Sequence, residues 1–192
     1  MTTGAIVLAG GRARRLDGAD KPQIVVDGRA LVDHVFDAVA GCDPVIAVGP
    51  PSLAREGVIV VREQPPFAGP AAATVAALPL LGDTAETWLL ACDLPLAPTL
   101  VAVLGTVPIP DDVDGVVAVD DSGRMQWLAG RYRTRALRDA AMALDPVEGA
   151  SMRSLLGGAR VHTVDAGGAA LDLDTWDAIE DYQRSSEQRS AP

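Results

Sequence analysis

Short apolar runs alternate with stretches of helical spacing along the first half of this chain. Apolar runs of four or five residues predict strands at 5–8, 23–26, 44–48, 58–61 and 87–91. Apolar positions at helical spacing predict intervening helices at 30–40, 71–81 and 98–104. Strands that alternate with helices in this way are typical of βαβ units, so we expect a parallel sheet with right-handed crossovers.

The second half of the chain departs from this repeat. Residues 115–119 and 125–131 predict two strands around a polar turn, which is a hairpin pattern. The remaining elements are two helices, a strand and a last helix, expected at 133–144, at 151–156, at 161–164 and up to Arg184. We therefore expect an α/β, three-layer Rossmann-like fold with a mostly parallel twisted sheet and a small antiparallel portion. Residues 1–184 would form a single domain and residues 185–192 a polar, disordered tail.

The composition predicts an aliphatic core, since 48% of the 192 residues are hydrophobic but only 4% are aromatic. No apolar run reaches the roughly eighteen residues of a membrane span, and the first residues lack the features of a signal peptide. We therefore expect a cytoplasmic protein with no membrane partner. Cys42 and Cys92 form no disulfide or zinc pattern, and we interpret both as buried hydrophobes.

The formal net charge of −10 argues against nucleic acid as a partner, because nucleic-acid binding needs a basic face. This charge also repels an anionic substrate at long range, so local positive charge or Mg²⁺ must compensate. Positive charge is densest between Leu8 and Lys21. That segment holds three glycines, the only lysine of a chain with fifteen arginines, and Arg12, Arg14 and Arg15.

The segment Leu8–Lys21 directly follows the first predicted strand, where open α/β sheets bind their ligands. A flexible backbone beside several cations suits a polyphosphate. The spacing of Gly18, Lys21 and Pro22 excludes a Walker A loop, and the segment contains no Gly-x-Gly-x-x-Gly. A solvated basic turn is the alternative interpretation.

The residues Leu8-Ala9-Gly10-Gly11, Arg15, Gly18 and Asp20-Lys21 resemble the signature of the guanylyltransferases of molybdenum cofactor biosynthesis. Asp17 departs from that pattern, because glycine is usual there, and the direction of its carboxylate is open. The resemblance implies a fold of the nucleotide-diphospho-sugar transferase type. It also implies that the nucleotide site includes Leu8, Ala9, Gly10, Gly11 and Lys21.

Asp93 follows the strongly apolar strand predicted at 87–91, within Cys92-Asp93-Leu94-Pro95. A carboxylate at the end of a buried strand usually meets a cation, because nothing in the strand neutralises it. The alternative is an N-cap of the following helix. The resemblance implies that Asp93 binds Mg²⁺, or Mn²⁺, together with the nucleotide phosphates. It further implies that Asp93, Lys21 and Arg15 are the catalytic residues.

The proline-rich segment 63–70 leads into a predicted helix, and Pro70 suits the first turn of that helix. The resemblance implies that Gly69 and Pro70 line the pocket for the base. It also implies a nucleotide-binding acidic residue just before them. Glu63 fits that position, but Gln64 competes for it.

The acceptor side of the cleft is expected on the later elements, and the resemblance implies contacts from Gln126, Arg131, Arg153, Asp172 and Asp174. Asp172 and Asp174 stand at i and i+2 of an extended segment, so their carboxylates would point to one face. Asp174 is the second metal candidate; alternatively, Asp174 or Thr175 caps the last helix. Trp176 replaces the proline that is usual in this segment.

The resemblance therefore implies transfer of GMP from GTP to the terminal phosphate of molybdopterin, with release of pyrophosphate. Gly10, where cytidylyl relatives tend to carry alanine, favours GTP, whereas an asparagine expected near the ribose is absent at 49–51. The implied partners are GTP, a phosphorylated pterin and maturation proteins of molybdoenzymes. The alternatives are a related transferase using CTP, phospholactate or a sugar phosphate, and a non-catalytic nucleotide-binding protein that delivers the cofactor.

Overall fold

The computed structural model describes residues 2–11, 14–120 and 122–190. These residues form nine strands and six α-helices. Their bounds are β1 Thr3–Leu8, β2 Val25–Val26, β3 Arg29–Ala30, α1 Leu31–Ala38, β4 Val45–Val48, β5 Val58–Val61, α2 Pro70–Ala77, β6 Glu86–Ala91, α3 Ala97–Gly105, β7 Gly115–Val119, β8 Met125–Arg133, α4 Thr134–Ala143, α5 Met152–Leu156, β9 Val161–Asp165 and α6 Trp176–Ser190.

Seven of these strands form one sheet, in the order β5-β4-β1-β6-β8-β7-β9. β8 runs antiparallel to β6 and β7, and the other pairings are parallel. The predicted α/β class is therefore confirmed, with its mostly parallel sheet and small antiparallel portion. The strand that ends at Ala91 is central, as its apolar sequence predicted.

The prediction of a strand at residues 23–26 is wrong for residues 23 and 24. Lys21–Gln23 form a 3-10 turn that contains Pro22, and only Val25–Val26 are extended. These two residues pair with β3 in a separate two-stranded sheet. Asp27 and Gly28 connect the two strands with φ angles of 52° and 75°, the left-handed conformation that a tight two-residue hairpin turn requires.

The main sheet is buried on both faces, because successive side chains of a strand point to opposite sides. In β6, Trp88 and Leu90 pack in a cluster with side chains of α1 and α3. Leu89, between them, packs in a second cluster with side chains of α2, α4 and α5. Helices therefore cover both faces of the sheet. This is the three-layer arrangement that the alternation of strands and helices predicted.

The pairing of β1 with β6 places the ends of these strands side by side. Leu8 lies opposite Ala91, and the Cys92 N–H continues the ladder by donating to the Leu8 carbonyl at 3.0 Å. The segments that follow the two strands therefore emerge at the same edge of the sheet. This is the edge at which parallel α/β sheets form their ligand sites.

Helix α6 packs against the segment between β1 and α1. A third apolar cluster contains residues from both, namely Leu16, Val26, Leu31, Leu173, Ile179 and Tyr182. The Tyr182 hydroxyl also donates to Asp27 Oδ2 at 3.1 Å. The helix continues to Ser190, so residues 185–190 are helical rather than part of a disordered tail. Within the described ranges, no helix is long and apolar enough to cross a membrane.

Candidate active site

A cleft of about 590 Å³ opens at the edge of the sheet where β1 and β6 end. Separate segments of the chain form its walls, which consist of Leu8, Gly10, Gly11, Lys21, Glu63, Phe67, Gly69, Pro70, Ala73, Ala91, Cys92, Asp93 and Leu128. Most residues predicted for the nucleotide site therefore lie together. Ala9 lines an adjoining cleft of about 230 Å³, which shares Gly10, Gly11 and Lys21 with the larger one.

Lys21 and Asp93 form an ion pair inside the larger cleft, between Nζ and Oδ2. Both side chains are largely buried, with 18% and 11% of their surface exposed. The other oxygen of Asp93, Oδ1, is buried and has no hydrogen-bond partner. A buried carboxylate oxygen without a partner is costly, so Asp93 is arranged to receive a further cation or donor.

Asp93 fits a magnesium ligand because of this unpaired oxygen. The part of the chain that the structure describes contains no group of three or more His, Cys, Asp or Glu arranged around a metal position. Bound phosphates would therefore have to complete the coordination of a divalent cation, as is usual for Mg²⁺. The alternative reading of Asp93 as a helix cap is wrong, because α3 begins at Ala97 with Leu96 in the cap position.

Cys92 lines the same cleft but remains a neutral thiol. Burial is the main cause that raises its pKa, followed by repulsion from Asp93. The side chain is buried, as the sequence predicted, whereas Cys42 is only partly buried. A neutral thiol is a poor nucleophile, so covalent catalysis by Cys92 is not favoured.

Asp172 and Asp174 do not converge on one site, because residues 171–175 form no strand and the i, i+2 rule does not apply. Asp172 and Asp93 both line another cleft, of about 290 Å³, called the smaller cleft below. Burial of its carboxyl group, then repulsion from Asp93 and Asp174, raises the pKa of Asp172, although the residue as a whole is exposed. Asp174 instead pairs with Arg15 at the surface. The structure thus places Asp172, rather than Asp174, in a cleft with Asp93.

Arg15 does not line the cleft. Its side chain is 73% exposed and its guanidinium pairs with Asp174 Oδ2. Of the cations predicted to neutralise phosphates, Lys21 is the one that the described residues bring into the cleft. Arg12 and the side chain of Arg14 lie outside the described residues.

Asp17 and Trp176, which both depart from the resembling pattern, contact each other. The indole Nε1–H donates to Asp17 Oδ2 at 3.1 Å. Asp17 has a φ of 53°, which explains why glycine suits this position. Its carboxylate therefore points toward the C-terminal segment. The Ala178 N–H donates to Thr175 Oγ1 at 3.2 Å, so Thr175 caps α6.

Of the two candidates Glu63 and Gln64, the structure brings Glu63 to the cleft. It is 4% exposed, and its Oε1 accepts the Phe67 backbone N–H at 2.8 Å. Its Oε2 is buried without a hydrogen-bond partner. A Cβ added at Gly10 would lie 3.8 Å from Oε1, so the glycine and the carboxylate form one wall. Gln64, the competing candidate, is exposed and lies outside the lining of the cleft.

Gly69 and Pro70 begin α2 at the cleft, as predicted. Gly69 has a φ of 101°, a conformation that side chains rarely adopt, and an added Cβ would lie 3.4 Å from the Ala150 carbonyl. Pro70 occupies the first helical turn, where its missing N–H costs no hydrogen bond. Both features fix the direction in which the helix leaves the cleft.

The smaller cleft, of about 290 Å³, shares Ala91, Asp93 and Leu128 with the larger one. It is lined by Ala91, Asp93, Leu94, Met125, Gln126, Trp127, Leu128, Ala129, Met152, Ala170 and Asp172. Gln126 Nε2 donates to Asp120 Oδ2 at 2.8 Å, which holds the amide in place. Hydrogen bonds from the Ser122 side chain and the Arg124 backbone hold the pKa of Asp120 at about 2, so this acceptor stays ionised at neutral pH.

The structure does not bring Arg131, an acceptor candidate, into either cleft. It lies opposite Trp88 in the β6–β8 pairing, and its guanidinium stacks on the Trp88 ring, 5.5 Å from the centroid. It also pairs with Glu86 at 3.1 Å. These contacts hold it on the face of the sheet that carries α1 and α3. Arg153 is exposed on α5 and lines neither cleft, so the structure does not support its acceptor role.

Phe67 is a cleft residue that the sequence analysis missed. The available signal was its residue type, because it is one of two phenylalanines in an aromatic-poor chain and stands in a loop of prolines and glycine. Leu128 was missed as well. The residues of a strand look alike in sequence, and the face that meets the cleft depends on the register of β8.

Comparison with known proteins agrees with this geometry. The family model described as MobA-like NTP transferase domain matches residues 5–164. A molybdenum cofactor guanylyltransferase from Bradyrhizobium sp. (strain ORS 278) is 36% identical over 149 residues, which cover 72% of this chain and 70% of the relative. A relative of the same name from Shewanella baltica is 30% identical over 146 residues, 72% of each chain.

Among solved structures, the molybdopterin-guanine dinucleotide biosynthesis protein A from Archaeoglobus fulgidus superimposes with a TM-score of 0.72 at 18% identity. The superposition covers 96% of this chain and 99% of that one, so the two share a fold. The chain therefore belongs to the MobA-like NTP transferase family, a family of nucleotidyltransferases.

Proposed function

We propose that this chain transfers GMP from GTP to the terminal phosphate of molybdopterin and releases pyrophosphate. The observation that carries the proposal is a pair of buried carboxylates, Glu63 and Asp93, which line one cleft and each have an oxygen without a hydrogen-bond partner. Glu63 would receive the base, and Asp93 would receive a divalent cation. The relatives named molybdenum cofactor guanylyltransferase support the choice of both substrates.

Glu63 supports guanine as the base. Its Oε2 can only accept hydrogen bonds when ionised, and guanine offers N1–H and its 2-amino group side by side as donors. Cytosine and adenine each present a ring-nitrogen acceptor beside their amino group, which a carboxylate would repel. A buried acceptor left unpaired costs about 1–3 kcal/mol, which corresponds to roughly 5- to 150-fold discrimination.

The reaction forms a bond between an acceptor phosphate oxygen and the α-phosphorus of GTP as the bond to pyrophosphate breaks. The acceptor oxygen is already anionic at neutral pH, so the chain need not supply a general base. Lys21 would donate from Nζ to the triphosphate and offset the charge that passes to pyrophosphate. The backbone N–H groups of Gly10 and Gly11 would contact phosphate oxygens, since glycine allows a close approach. Mg²⁺ or Mn²⁺, held by Asp93 and the phosphates, would supply further charge neutralisation.

The smaller cleft is the proposed acceptor site. Met125, Trp127 and Met152 give it apolar walls suited to a flat pterin ring, and Gln126 adds a fixed polar group. Asp93 lines both clefts, so an acceptor held there would lie next to the nucleotide. The proposed location is the cytoplasm, and the proposed recipients of the product are maturation proteins of molybdoenzymes.

Pyrophosphate release, measured with each of the four common nucleoside triphosphates and molybdopterin, tests the proposal. Release should require GTP together with the acceptor, stop on addition of EDTA and return with Mg²⁺ or Mn²⁺. Release with CTP and a different acceptor would replace the proposal with a related transferase. Binding of GTP without release would instead favour a cofactor-delivery protein.

A further inference from the structure

Arg62 places a further positive charge at the edge of the sheet where the clefts open. It directly follows β5, and Val61, the last residue of that strand, pairs with Val48 at the end of β4. Parallel strands of one sheet end at one edge, so Arg62 emerges at the edge at which such sheets bind ligands. Its exposed side chain lines the adjoining cleft, which Lys21 lines as well.

The chain itself does not neutralise the charge of Arg62. In the described ranges 2–11, 14–120 and 122–190, no carboxylate lies within ion-pair distance of its guanidinium. Asp20 lines the same cleft, but its Oδ2 accepts a hydrogen bond from Ser52 Oγ at 3.0 Å. Because the whole chain has a formal net charge of −10, a cation left unpaired in a cleft favours an anionic ligand there.

The guanidinium of Arg62 is held in a way that leaves its donors available. It lies over the Phe67 ring, 4.8 Å from the centroid, within the range of a cation–π contact. This contact uses the flat face of the guanidinium, whereas its five N–H donors lie in the plane of the group. Arg62 can therefore remain on the ring and donate hydrogen bonds to phosphate oxygens, whose geometry its planar fork matches.

The three clefts are connected in an order that suits the transfer of a nucleotidyl group. Lys21 lines the larger and the adjoining cleft, whereas Asp93 lines the larger and the smaller cleft. No described residue lines both the smaller and the adjoining cleft. In phosphoryl transfer the attacking and leaving oxygens lie roughly in line, so the leaving group departs on the side away from the acceptor. With the acceptor in the smaller cleft, the adjoining cleft is the one that suits the leaving group.

We infer that Arg62 binds the pyrophosphate end of GTP in the adjoining cleft, and this inference rests on the proposed function. As the acceptor oxygen bonds to the α-phosphorus, the bond to the bridging oxygen breaks and its electron pair leaves with pyrophosphate. Arg62 and Lys21 then face the group that gains charge. Gly10 and Gly11 line both the larger and the adjoining cleft, so the phosphate chain passes them on its way from one cleft to the other.

Calorimetric titration of the full chain with GTP and with GMP, in the presence of Mg²⁺, tests the inference. No acceptor is present, so GTP is not consumed. Arg62→Ala should weaken GTP binding about tenfold, the scale of a lost hydrogen bond to a charged group, and leave GMP binding within about twofold. Arg62→Lys keeps the charge and should recover most of the GTP affinity. Arg135→Ala removes the same charge from an exposed position on α4 that lines none of the three clefts, and it should change neither ligand.

Equal GTP affinity in Arg62→Ala and the wild type would overturn the role of Arg62 while leaving the proposed function intact. A parallel loss of GTP and GMP affinity would also overturn it, because the arginine would then act on the nucleoside or on the shape of the cleft. An equal loss of GTP affinity in Arg135→Ala would reduce the effect to the net charge of the chain. Failure of the wild type to bind GTP would instead overturn the proposed function itself, and the inference with it.

Discussion

Two cation–carboxylate pairs join distant parts of this chain, and they differ in burial. Lys21 and Asp93 meet inside the cleft with 18% and 11% of their side chains exposed, whereas Arg15 and Asp174 meet at the surface with 73% and 36% exposed. All four residues were expected to act in one site. The comparison teaches that burial, rather than residue type, separates the pair inside the cleft from the pair that joins the C-terminal segment to the segment after β1.

Burial also changes what each pair contributes. An exposed pair stabilises a fold by about 0–1 kcal/mol, because water and salt screen it. Removing one partner of a buried pair costs about 3–5 kcal/mol, because the other charge is left without compensation. Only a ligand that carries both charges can separate the buried pair cheaply. A triphosphate with its cation is such a ligand, since the phosphates can take Lys21 and the cation can take Asp93.

Replacement of Asp93 should give the largest effect. Asp93→Asn keeps the shape of the side chain but removes the charge that would hold the cation, and it leaves Lys21 unpaired. We expect pyrophosphate release at saturating GTP and Mg²⁺ to fall by about 10²–10³-fold, the effect of losing one well-placed electrostatic contact. Asp174→Asn is the matched control and should stay within about threefold of the wild type. Equal losses would contradict the separation of the two pairs.

Replacement of Lys21 by arginine should have the next largest effect. Lys21→Arg keeps the charge but puts a planar fork where a compact ammonium meets Asp93, and we expect kcat to fall by about tenfold or more. The matched change at the outer pair, Arg15→Lys, should leave kcat within about twofold, because an exposed pair tolerates either cation. Steady-state kinetics with GTP measures both variants. Full activity of Lys21→Arg would show that the only lysine of the chain is not specifically required.

Strand geometry predicts part of the placement of the buried pair, because Leu8 and Ala91 end apolar strands and parallel strands of one sheet end at one edge. The assignment of Lys21 and Asp93 to one site came from the resemblance. The glycine–proline start of α2 was predictable from the chemistry of a helix N-terminus.

The other residue assignments in the site depend on structural details that a sequence pattern does not determine. Arg131 was grouped with Gln126 on the acceptor side, but its pairing with Trp88 puts it on the face of the sheet that carries α1 and α3. The choice between Glu63 and Gln64 depends on the path of one loop, which sets which of the two side chains becomes buried. The separation of Asp172 from Asp174 depends on a segment with no regular periodicity.

A smaller effect is expected at Asp172, because the carboxylates of Asp93 and Asp174 both repel its negative charge. Burial and their repulsion raise the pKa of Asp172, so the folded chain holds this proton more tightly than the unfolded chain. Ionisation therefore destabilises the fold as pH rises through the ordinary value near 4 and the raised value above it. We expect Asp172→Asn to raise Tm at pH 7 and to leave it unchanged below about pH 3, where the carboxyl is protonated in both states.

Thermal unfolding without nucleotide at the two pH values measures this change. Asp139→Asn, at an exposed position on α4, is the control and should give no such pH-dependent rise. A lower Tm of Asp172→Asn at pH 7 would mean that the carboxylate makes a favourable contact, and the repulsion among the three acidic groups would not govern this edge.

The outer pair should give the smallest effect. Arg15→Ala and Asp174→Asn should each lower the free energy of unfolding by no more than about 1 kcal/mol, and the double variant should show a coupling of about 0.5 kcal/mol that high salt removes. Urea unfolding measures both quantities. Activity should fall equally and by less than about threefold in the two single variants, because both break the same fastening. If Arg15→Ala lost far more activity than Asp174→Asn, the arginine would have to leave Asp174 and bind phosphate during turnover. The exposed fraction of these side chains in the free protein would then not predict which pair contacts the substrate.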